Sequence, residues 1–466
     1  ADWVKAEYDQ SKGTFLGVGD APAGSDDPIH VHNWDIPTYS WAADKSTCTG
    51  TAVCLDDPSH VTNRTVTTSS KIVKIATTTS TGTRRYTAEF DDEPFSTQTT
   101  DETIPKVDPS GSEEDVPDAP PEINPPAVDP TGATAASGDT TGAKDTKTIQ
   151  DLIDAAAPTH GVVKLGEGTF YINAELNVHD GVTLTGLGMD KTVIVQKGNA
   201  RVIKVDGGSA VRMLTVTGGK NSTQWTHGGG IDVENGTVSW CCATNNTIFY
   251  DAKGGSGAGV YLKSGSIDHS IVAYNVSESS GKGAGIGVTA QEGDVLIDTC
   301  LVRGNQMRYS WGENKGGGIG VEYSGGYDKT VTIRNTTVVE NSCGVNGQKA
   351  SGGAIYLGSD VQHKGRVFNC VVFGNSTVGQ EGDVKLDYTG ASDYLLVDKA
   401  SDLIGEHSAV DNPLFANAAV GNFTLSANSP ARGAGMTYSG IGIDLTGADF
   451  ANPPSLGCYE YVGSTP

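Results

Sequence analysis

Five segments of this chain repeat one glycine-rich pattern, and this repeat constrains the fold more than any other feature of the sequence. Each copy opens with a polar residue and a glycine, continues with two small residues, and ends in an apolar–variable–apolar triplet. The copies are HGGGIDV (227–233), SGAGVYL (256–262), KGAGIGV (282–288), KGGGIGV (315–321) and SGGAIYL (351–357). A repeat of this kind predicts a solenoid, in which each copy contributes one coil that packs against its neighbours.

A second frame follows each glycine-rich segment and ends in asparagine. Its copies lie about 30 residues apart: VSWCCATNN (238–246), IDHSIVAYN (267–275), IDTCLVRGN (297–305), IRNTTVVEN (333–341) and VFNCVVFGN (367–375). No long stretch has the 3.6-residue period of a helix, so these short apolar runs predict strands. The predicted fold is therefore all-β, a parallel β-helix with strands in register about 4.8 Å apart. Parallel crossovers are generally right-handed, so a right-handed β-helix is expected.

The glycines and asparagines have predicted roles at the corners of the coils. Glycine tolerates the positive φ and the close backbone approach that a sharp corner needs. A buried asparagine can bond the corner backbone and the asparagines of the coils above and below it. The sequence therefore predicts an asparagine ladder of Asn246, Asn275, Asn305, Asn341 and Asn375. A second column is predicted to be small core filler: Cys241, Ser270, Cys300, Thr336 and Cys370.

Composition divides the chain into three parts. Residues 1–104 are rich in threonine with strand-like alternation and predict a small β domain. Residues 105–143 hold eight prolines and many acids, which predicts an extended arm. Residues 144–466 are predicted to form the β-helix, with a capping helix at about 149–157 and a closing segment at 412–461.

Several segments resemble known proteins. The stretch TIQDLIDAAAPTHGVVKLGEGTFYI (148–172), with LNVHDGVTLTGLGMDKTVIV (176–195), resembles the opening of the pectate-lyase-like superfamily of β-helix proteins. The closing segment is similar to those of bacterial secreted and cell-surface β-helix proteins. GGAI (352–355) and FGNS (373–376) resemble repeats of polymorphic outer-membrane adhesins. The resemblance implies the fold, but the superfamily includes lyases, hydrolases, epimerases, adhesins and structural proteins.

The charge excludes two classes of partner. With 32 Lys and Arg against 56 Asp and Glu, the net charge of −24 at pH 7 repels nucleic acid and anionic membranes. It also disfavours a polyanionic sugar, unless a local basic patch or bound calcium offsets it; no other cofactor is predicted. No apolar run approaches the roughly 18 residues of a membrane span.

Cysteines and the first residue predict the compartment. Cys48 and Cys54, in CTGTAVC, are predicted to form a disulfide across a turn, and the chain starts at Ala1 without methionine. Both features are typical of a secreted, extracellular or cell-surface protein. PIHVHNWD (28–35) places His30 and His32 on one side of a strand, a pattern that suits a metal ligand pair. Two histidines in a loop-rich region are more often surface residues, so no metal is predicted.

The variable loops between the asparagine and the glycine frames should lie on one rim of the solenoid. Exposed rings can stack on sugar faces and carboxylates can bond hydroxyls, so the glycan-binding candidates are Trp225, His227, Arg308, Tyr309 and Trp311. A glycoside hydrolase needs two carboxylates about 5–10 Å apart; the candidates are Glu278, Glu313, Glu381 and Asp383. A lyase needs a basic residue among acids, and Lys282, Arg308, Lys315 and Lys349 lie on the rim without an aspartate cluster.

Two functions fit these observations. The regular repeat and the lack of a catalytic motif favour a secreted structural or adhesive solenoid that self-assembles as a filament or surface-layer subunit. Assembly would use residues 1–143, since an extended arm reaches roughly 3.1 Å per residue. The alternative is a polysaccharide-active enzyme (a lyase or a glycoside hydrolase) or a glycan-binding protein that uses the aromatic rim.

Overall fold

The chain forms two compact units. The first comprises Ala1–Ser70 and Thr83–Thr103, and the second Lys71–Gly82 and Ile104–Pro466. The computed structural model describes residues 32–74, 82–91, 93–104, 133–135, 142–249, 254–322, 329–345, 348–358, 364–378, 384–386 and 392–461. Most of the arm predicted at 105–143 lies outside the described residues.

A five-stranded sheet, whose strands follow chain order, makes up most of the described part of the first unit. The strands are Thr38–Trp41, Thr47–Val53, Val61–Lys74, Gly82–Ala88 and Gln98–Ile104, and the first three pair antiparallel. Along Thr47–Val53 every second residue is buried, because threonines alternate with core residues. Cys48, Ala52, Ala88, Phe90 and Phe95 form the buried cluster beneath the sheet.

The predicted disulfide between Cys48 and Cys54 is wrong. Cys48 lies within the strand Thr47–Val53, and Cys54 follows directly and pairs with Trp34. The two cysteines are not joined to each other. Six residues of strand span roughly 20 Å, whereas a disulfide requires Cα atoms within about 7 Å. The segment is a strand rather than a turn, because its alternating residues fill the core of the first unit.

A helix closes the first coil of the second unit. It spans Ala143–Ala156 and continues as a 3-10 turn over Ala157–Thr159. Ile149 and Ile153, one helical turn apart, are fully buried against the coil. Asp145 accepts a hydrogen bond from the Tyr171 backbone N–H at 3.1 Å. The helix therefore covers the open end of the solenoid core.

The predicted parallel β-helix is confirmed, and its coils contain four rows of strands. Row A is an eight-stranded sheet: Leu176–Val178, Ile203–Val205, Ile231–Val233, Val260–Leu262, Ile286–Val288, Ile319–Val321, Ile355–Leu357 and Val384–Leu386. Rows B and C lie in one 18-stranded sheet. Row B contains Val162–Leu165, Thr183–Thr185, Ser209–Arg212, Gly236–Ser239, Gly265–Asp268, Val295–Asp298, Thr330–Arg334 and the first half of Lys364–Phe373.

Rows C and D complete each coil. Row C contains Gly168–Ile172, Thr192–Gln196, Thr215–Thr217, Cys242–Thr244, Ile271–Ala273, Leu301–Arg303, Thr337–Val339, the second half of Lys364–Phe373 and Asp393–Val397. Row D contains Lys220–Asn221, Thr247–Ile248, Val276–Ser277, Gln306–Met307, Ser342–Cys343 and Ser376–Thr377. From Ile203 to Thr377 the chain passes through rows A, B, C and D in turn and enters the next coil through a glycine-rich turn.

The remaining short elements lie at the ends of the rows and in the loops. Ala133–Ala135, within the predicted arm, pairs with Val162–Leu165, and Ala409–Val410 pairs with Asp393–Val397. Asn314–Lys315 pairs with Ala350–Ser351, and Phe415–Asn417 pairs antiparallel with Asn422–Leu425. Two 3-10 turns span Ala400–Asp402 and Ala418–Val420. None of the helices in the described ranges has the length and hydropathy to cross a bilayer.

The five frame asparagines stack in one buried column at the corner that follows row C. Each side-chain N–H group donates to the carboxamide oxygen of the next asparagine, at 3.0, 2.9, 2.9 and 3.0 Å along Asn246, Asn275, Asn305, Asn341 and Asn375. The same oxygens also accept the backbone N–H of the preceding asparagine. The column therefore satisfies its own polar groups inside the core.

A second buried column lies at the corner between rows B and C. The backbone N–H of Cys241 donates to Ser270 Oγ at 3.1 Å, and that of Cys300 donates to Thr336 Oγ1 at 3.5 Å. Burial raises the pKa of the Cys241 and Cys370 thiols to about 12, so both stay protonated at neutral pH. These positions act as small core residues.

Candidate functional site

The middle residue of each row A strand faces away from the core. In five successive strands these residues are in register: Asp232, Tyr261, Gly287, Gly320 and Tyr356. Their two neighbours within each strand point inward and are buried. The outer side of row A thus changes chemistry from coil to coil while its inner side stays apolar.

The glycine-rich turns lie over this outer side and stack on one another. Gly228, Gly257, Gly283 and Gly316 each donate a backbone hydrogen bond, at 2.9 to 3.1 Å, to the turn of the next coil. The residue that opens each turn forms a line, here called the turn row: His227, Ser256, Lys282, Lys315 and Ser351. Successive members lie roughly 4.8 Å apart along the axis, the spacing of paired strands.

The stacked turns explain the glycines in the middle of two row A strands. A Cβ atom at Gly287 would lie 2.4 Å from the backbone nitrogen of Gly257, and one at Gly320 would lie 2.2 Å from that of Gly283. Neither backbone nitrogen can move without breaking the turn stack. Gly287 and Gly320 therefore cannot be replaced by a residue with a side chain. At these two coils the functional groups come instead from the turn row, as Lys282 and Lys315.

His227 and Tyr261 form a stacked pair on neighbouring coils. Their ring centroids are 4.0 Å apart with an interplanar angle of 10°. His227 Nδ1 accepts the backbone N–H of Ser256 at 3.1 Å, which leaves the proton of the neutral ring on Nε2. Burial lowers the pKa of His227 to about 4, so the ring is neutral at neutral pH. His227 is therefore a hydrogen-bond donor through Nε2 and not a base.

Tyr261 is also held neutral. Its hydroxyl is 2.6 Å from Thr289 Oγ1, and burial raises the pKa of the phenol to about 12. Because the ring is almost fully buried, its main role is to fix the plane of His227.

Three lysines on this face pair with carboxylates. Lys282 Nζ is 3.1 Å from Glu322, and Lys315 Nζ is 2.9 Å from Glu313. Lys263 Nζ is 2.7 Å from Glu292 and 2.9 Å from Glu234. Hydrogen bonds to Glu292 and Glu234 raise the pKa of Lys263.

The ammonium group of Lys315 also contacts an aromatic ring. It lies 5.1 Å from the ring centroid of Tyr356. Burial opposes the charge of Lys315, but hydrogen bonds to Glu313 and Tyr356 more than offset it and raise its pKa. Lys315 is therefore a fixed positive charge at neutral pH.

A half-buried arginine lies at one end of this face. Arg201 contacts both Glu175 and Asp232, and it donates to the backbone oxygen of His227 at 2.7 Å. Burial raises the pKa of Asp232 to about 7, although the Arg201 guanidinium opposes the rise. Through the bond from Arg201 to its backbone oxygen, this cluster holds His227 in position. The outward groups of this region, in which Tyr261 and Tyr356 are buried beneath the others, are named here the row A face: His227, Tyr261, Lys263, Lys282, Lys315, Glu322 and Tyr356.

The loops between row D and the turn row carry the predicted glycan-binding residues. Trp225 is 73% exposed and Trp311 is 80% exposed. Arg308 Nη2 is 3.3 Å from Glu278. The backbone N–H of Tyr309 donates to the buried Asn314 at 2.6 Å. These loops run into the turn row, so the rim and the row A face adjoin.

Two of the four carboxylates that were predicted as hydrolase candidates lie in the described residues, and each of them forms an ion pair. Glu278 pairs with Arg308 on the rim, whereas Glu313 pairs with Lys315 on the row A face. Glu381 and Asp383 lie outside the described residues, as does His30. His32 stacks on Trp34 at 4.5 Å between ring centroids. In the described ranges, no three His, Cys, Asp or Glu side chains are placed to hold a metal ion.

Sequence reasoning missed several residues of the row A face. Lys263, Glu322 and Tyr356 were not among the predicted site residues, and neither were Asp232 and Tyr261. A signal was present, because the middle residue of the triplets IDV, VYL, IGV, IGV and IYL varies while its neighbours stay apolar. That variation marks the outward position of each strand.

Comparison with known proteins identifies the family. Residues 134–374, just over half of the chain, match the family described as rhamnogalacturonase A/epimerase, pectate lyase-like. The mannuronan C-5 epimerase AlgE6 A-module of Azotobacter vinelandii is 15% identical, with a TM-score of 0.26, over 57% of this chain and 93% of that chain. The Agl-KA catalytic domain is 11% identical, with a TM-score of 0.28, over 78% of this chain and 76% of that chain. No curated protein matches the chain.

The family match agrees with the resemblance seen in the sequence at 148–172 and 176–195, and that prediction is confirmed. The chain belongs to the rhamnogalacturonase A/epimerase family of pectate-lyase-like proteins.

Proposed function

We propose that the protein is an enzyme that acts on a polysaccharide bound along the row A face. The proposal depends on one observation: successive coils of the turn row and row A place the neutral His227 and the ion-paired Lys282, Lys315 and Glu322 in a line. The line follows the solenoid axis at roughly 4.8 Å per coil, so a linear polymer can contact several coils at once. The family description, which names a rhamnogalacturonase and an epimerase, supports a polysaccharide as that polymer.

This function is preferred to the structural, self-assembling one that the sequence favoured. The family description favours an enzyme, and Lys263, Lys282 and Lys315, each paired with a carboxylate near the neutral His227, supply the charged groups that acid–base chemistry uses. Self-assembly through residues 1–143 stays a prediction, as does secretion.

The reacting groups in this proposal are Glu322 and Lys282. Glu322 is 48% exposed and Lys282 is 17% exposed, and the two are joined by an ion pair of 3.1 Å. An exposed carboxylate can accept a proton from the sugar, and a fixed ammonium group beside it can stabilise negative charge that develops there. Lys315, on the next coil, adds a second fixed positive charge. His227 donates a hydrogen bond through Nε2 without adding charge.

The Glu322→Gln variant tests this assignment. We expect its kcat to fall by about 10²- to 10⁴-fold, the usual contribution of a general base. Turnover is measured on pectin, alginate and xylan by new reducing ends and by unsaturated sugar products, with epimerised residues followed by NMR.

Asp151→Asn is the matched control, since Asp151 pairs with Lys147 on the exposed side of the capping helix and takes no part in the row A face. It should keep the parent kcat. If Glu322→Gln keeps the parent kcat as well, Glu322 is not the base. If the parent acts on no polysaccharide tested, the proposed function is wrong.

A further inference from the structure

Trp225 and Trp311, both on the rim, expose most of their surface to solvent. The structure describes five tryptophans, and only Trp225 and Trp311 are exposed. Neither takes part in the ion pairs or hydrogen bonds of the row A face. Exposed large aromatic side chains of this kind are typical of binding surfaces.

Trp225 is held in a strained backbone conformation. Its φ is 59°, in the left-handed region that bulky residues rarely adopt. With 73% of the residue exposed, burial of the ring does not compensate for this strain. Strained backbone of this kind is concentrated at ligand-binding positions.

The ring of Trp225 is nevertheless fixed in place. It lies against Gly254 of the next loop, where a Cβ atom would fall 2.5 Å from Cε3 of the indole. Gly254 is itself held by a hydrogen bond from its backbone N–H to Ser280 Oγ at 3.0 Å. Only glycine at this position lets the indole lie along the neighbouring coil.

Trp311 is also presented by an anchored loop. Asn314 is fully buried beneath that loop. It accepts the Tyr309 N–H at 2.6 Å and donates to the backbone oxygens of Tyr309 and Gly312 at 3.0 and 3.3 Å. The loop is therefore held from inside while the indole points into solvent, which limits the entropy that a ligand must remove on binding.

The two rings lie on the same rim at a defined spacing. The row D strand before Trp225 is Lys220–Asn221 and the one before Trp311 is Gln306–Met307, three steps along row D. Three steps correspond to roughly 14 Å along the axis. Glu278 lies on a coil between them and pairs with Arg308 of the Trp311 loop, and this ion pair can bond sugar hydroxyls. His227 follows Trp225 by two residues, so this line runs beside the row A face.

We propose that Trp225 and Trp311 are the two ends of a sugar-binding track, in which a polysaccharide lies parallel to the solenoid axis and stacks one sugar ring on each indole. The track rests on the proposed function in that it takes the polysaccharide as the ligand. It deepens that function by assigning the two residues that bind the polymer away from the reacting groups. Binding energy from such remote contacts holds the polymer in place for the reaction.

The test compares binding and turnover in the Trp225→Ala and Trp311→Ala variants. Binding to pectin, alginate and xylan is measured by affinity electrophoresis, and KM and kcat are measured on the polymer and on a disaccharide. We expect the Kd and KM for the polymer to rise about five- to tenfold in each variant, the effect of losing one aromatic contact. The kcat, the melting temperature and the disaccharide KM should not change.

Trp311→Phe should restore most of the polymer affinity, because a phenyl ring can still stack. Leu187→Ala is the matched control: Leu187 is 45% exposed between rows B and C, away from the rim. It should leave the Kd unchanged.

The outcomes separate the two proposals. If both alanine variants weaken polymer binding but the parent turns over none of the polymers, the track is supported and the proposed function is wrong. Turnover by the parent with an unchanged polymer Kd and KM in both variants overturns the track alone. If the parent binds none of the three polymers, both proposals are wrong.

Discussion

In each coil of the ladder, one buried asparagine side chain forms hydrogen bonds to the neighbouring coils. The carboxamide of Asn305 donates to Val272 O at 2.8 Å and to Asn341 at 2.9 Å, and it accepts two N–H groups of Asn275. An amide supplies two donors and an acceptor within one planar group, so the same residue can repeat in every coil. No apolar residue of similar size can meet these four partners.

The Asn305→Leu variant tests the ladder at this scale. It removes the four hydrogen bonds that the Asn305 carboxamide makes with Asn275, Asn341 and Val272, and we expect the free energy of unfolding to fall by at least about 2 kcal/mol. Thermal melting followed by circular dichroism measures the change. Asn199→Leu, at an exposed position, is the control and should alter stability by less than about 0.5 kcal/mol. Equal melting of Asn305→Leu and the parent would contradict the ladder's role in stability.

Residue-level prediction succeeded where a side chain repeats and failed where it varies. The ladder positions are predictable from the sequence because Asn occupies the same place in each frame. The pairs Lys282–Glu322 and His227–Tyr261 join a turn to the strand of the next coil. These contacts depend on how the coils stack, and the residue types that form them do not repeat from coil to coil.

At the scale of elements, the C-terminal segment, from Phe415 to Tyr461, packs against the outer side of row C. Phe423, Leu445 and Tyr459 pack on Leu301 and Val339, which face outward from row C. Arg303 lies 4.9 Å from the ring centroid of Phe423 and 5.0 Å from that of Tyr274. The segment therefore covers an apolar strip that would otherwise be exposed to water.

His269 links this segment to the solenoid. Its Nδ1 is 2.8 Å from Asp268 and its Nε2 is 3.0 Å from the backbone oxygen of Ile443, and the ring stacks on Trp240 at 4.6 Å. Burial opposes protonation, but the bonds to Asp268 and Ile443 more than offset it, so the pKa of His269 is raised. Both nitrogens face acceptors, which the doubly protonated ring satisfies.

The raised pKa of His269 gives the stability a defined pH dependence. The contribution of His269 is fully present below the unfolded value of about 6.5 and is lost as pH rises through the higher folded value. We therefore expect the melting temperature difference between the parent and His269→Gln to be larger at pH 5.5 than at pH 9. Asp268→Asn should weaken this dependence. A difference that grows towards pH 9 would show that the ring is buried in its neutral form.

Elements were predictable to the extent that their residues repeat or alternate. The strands of rows A, B and C follow the two sequence frames. The capping helix begins at Ala143 rather than near Ile149, because Thr146 bonds Asn173 of the first coil and extends the helix over polar residues. The glycine and threonines of CTGTAVC predict a turn, yet the segment is a strand whose cysteines and alanine fill the core of the first unit.

For the whole molecule, the repeat determines the architecture and leaves the chemistry to the outer side of the coils. The net charge of −24 does not describe the row A face, where Lys263, Lys282 and Lys315 are each paired with glutamate. The fold was predictable because every coil obeys the same constraints. The function was not, because proteins of one β-helix fold differ in just these outward residues.

The most direct test of the proposed function is a crystal structure of the Glu322→Gln variant with a bound oligosaccharide of the polymer that the parent acts on. We predict sugar rings along the row A face, parallel to the solenoid axis, with one ring in contact with Lys282 and the substituted carboxamide. Sugar bound on another side of the solenoid, with the row A face empty, would contradict the proposed function.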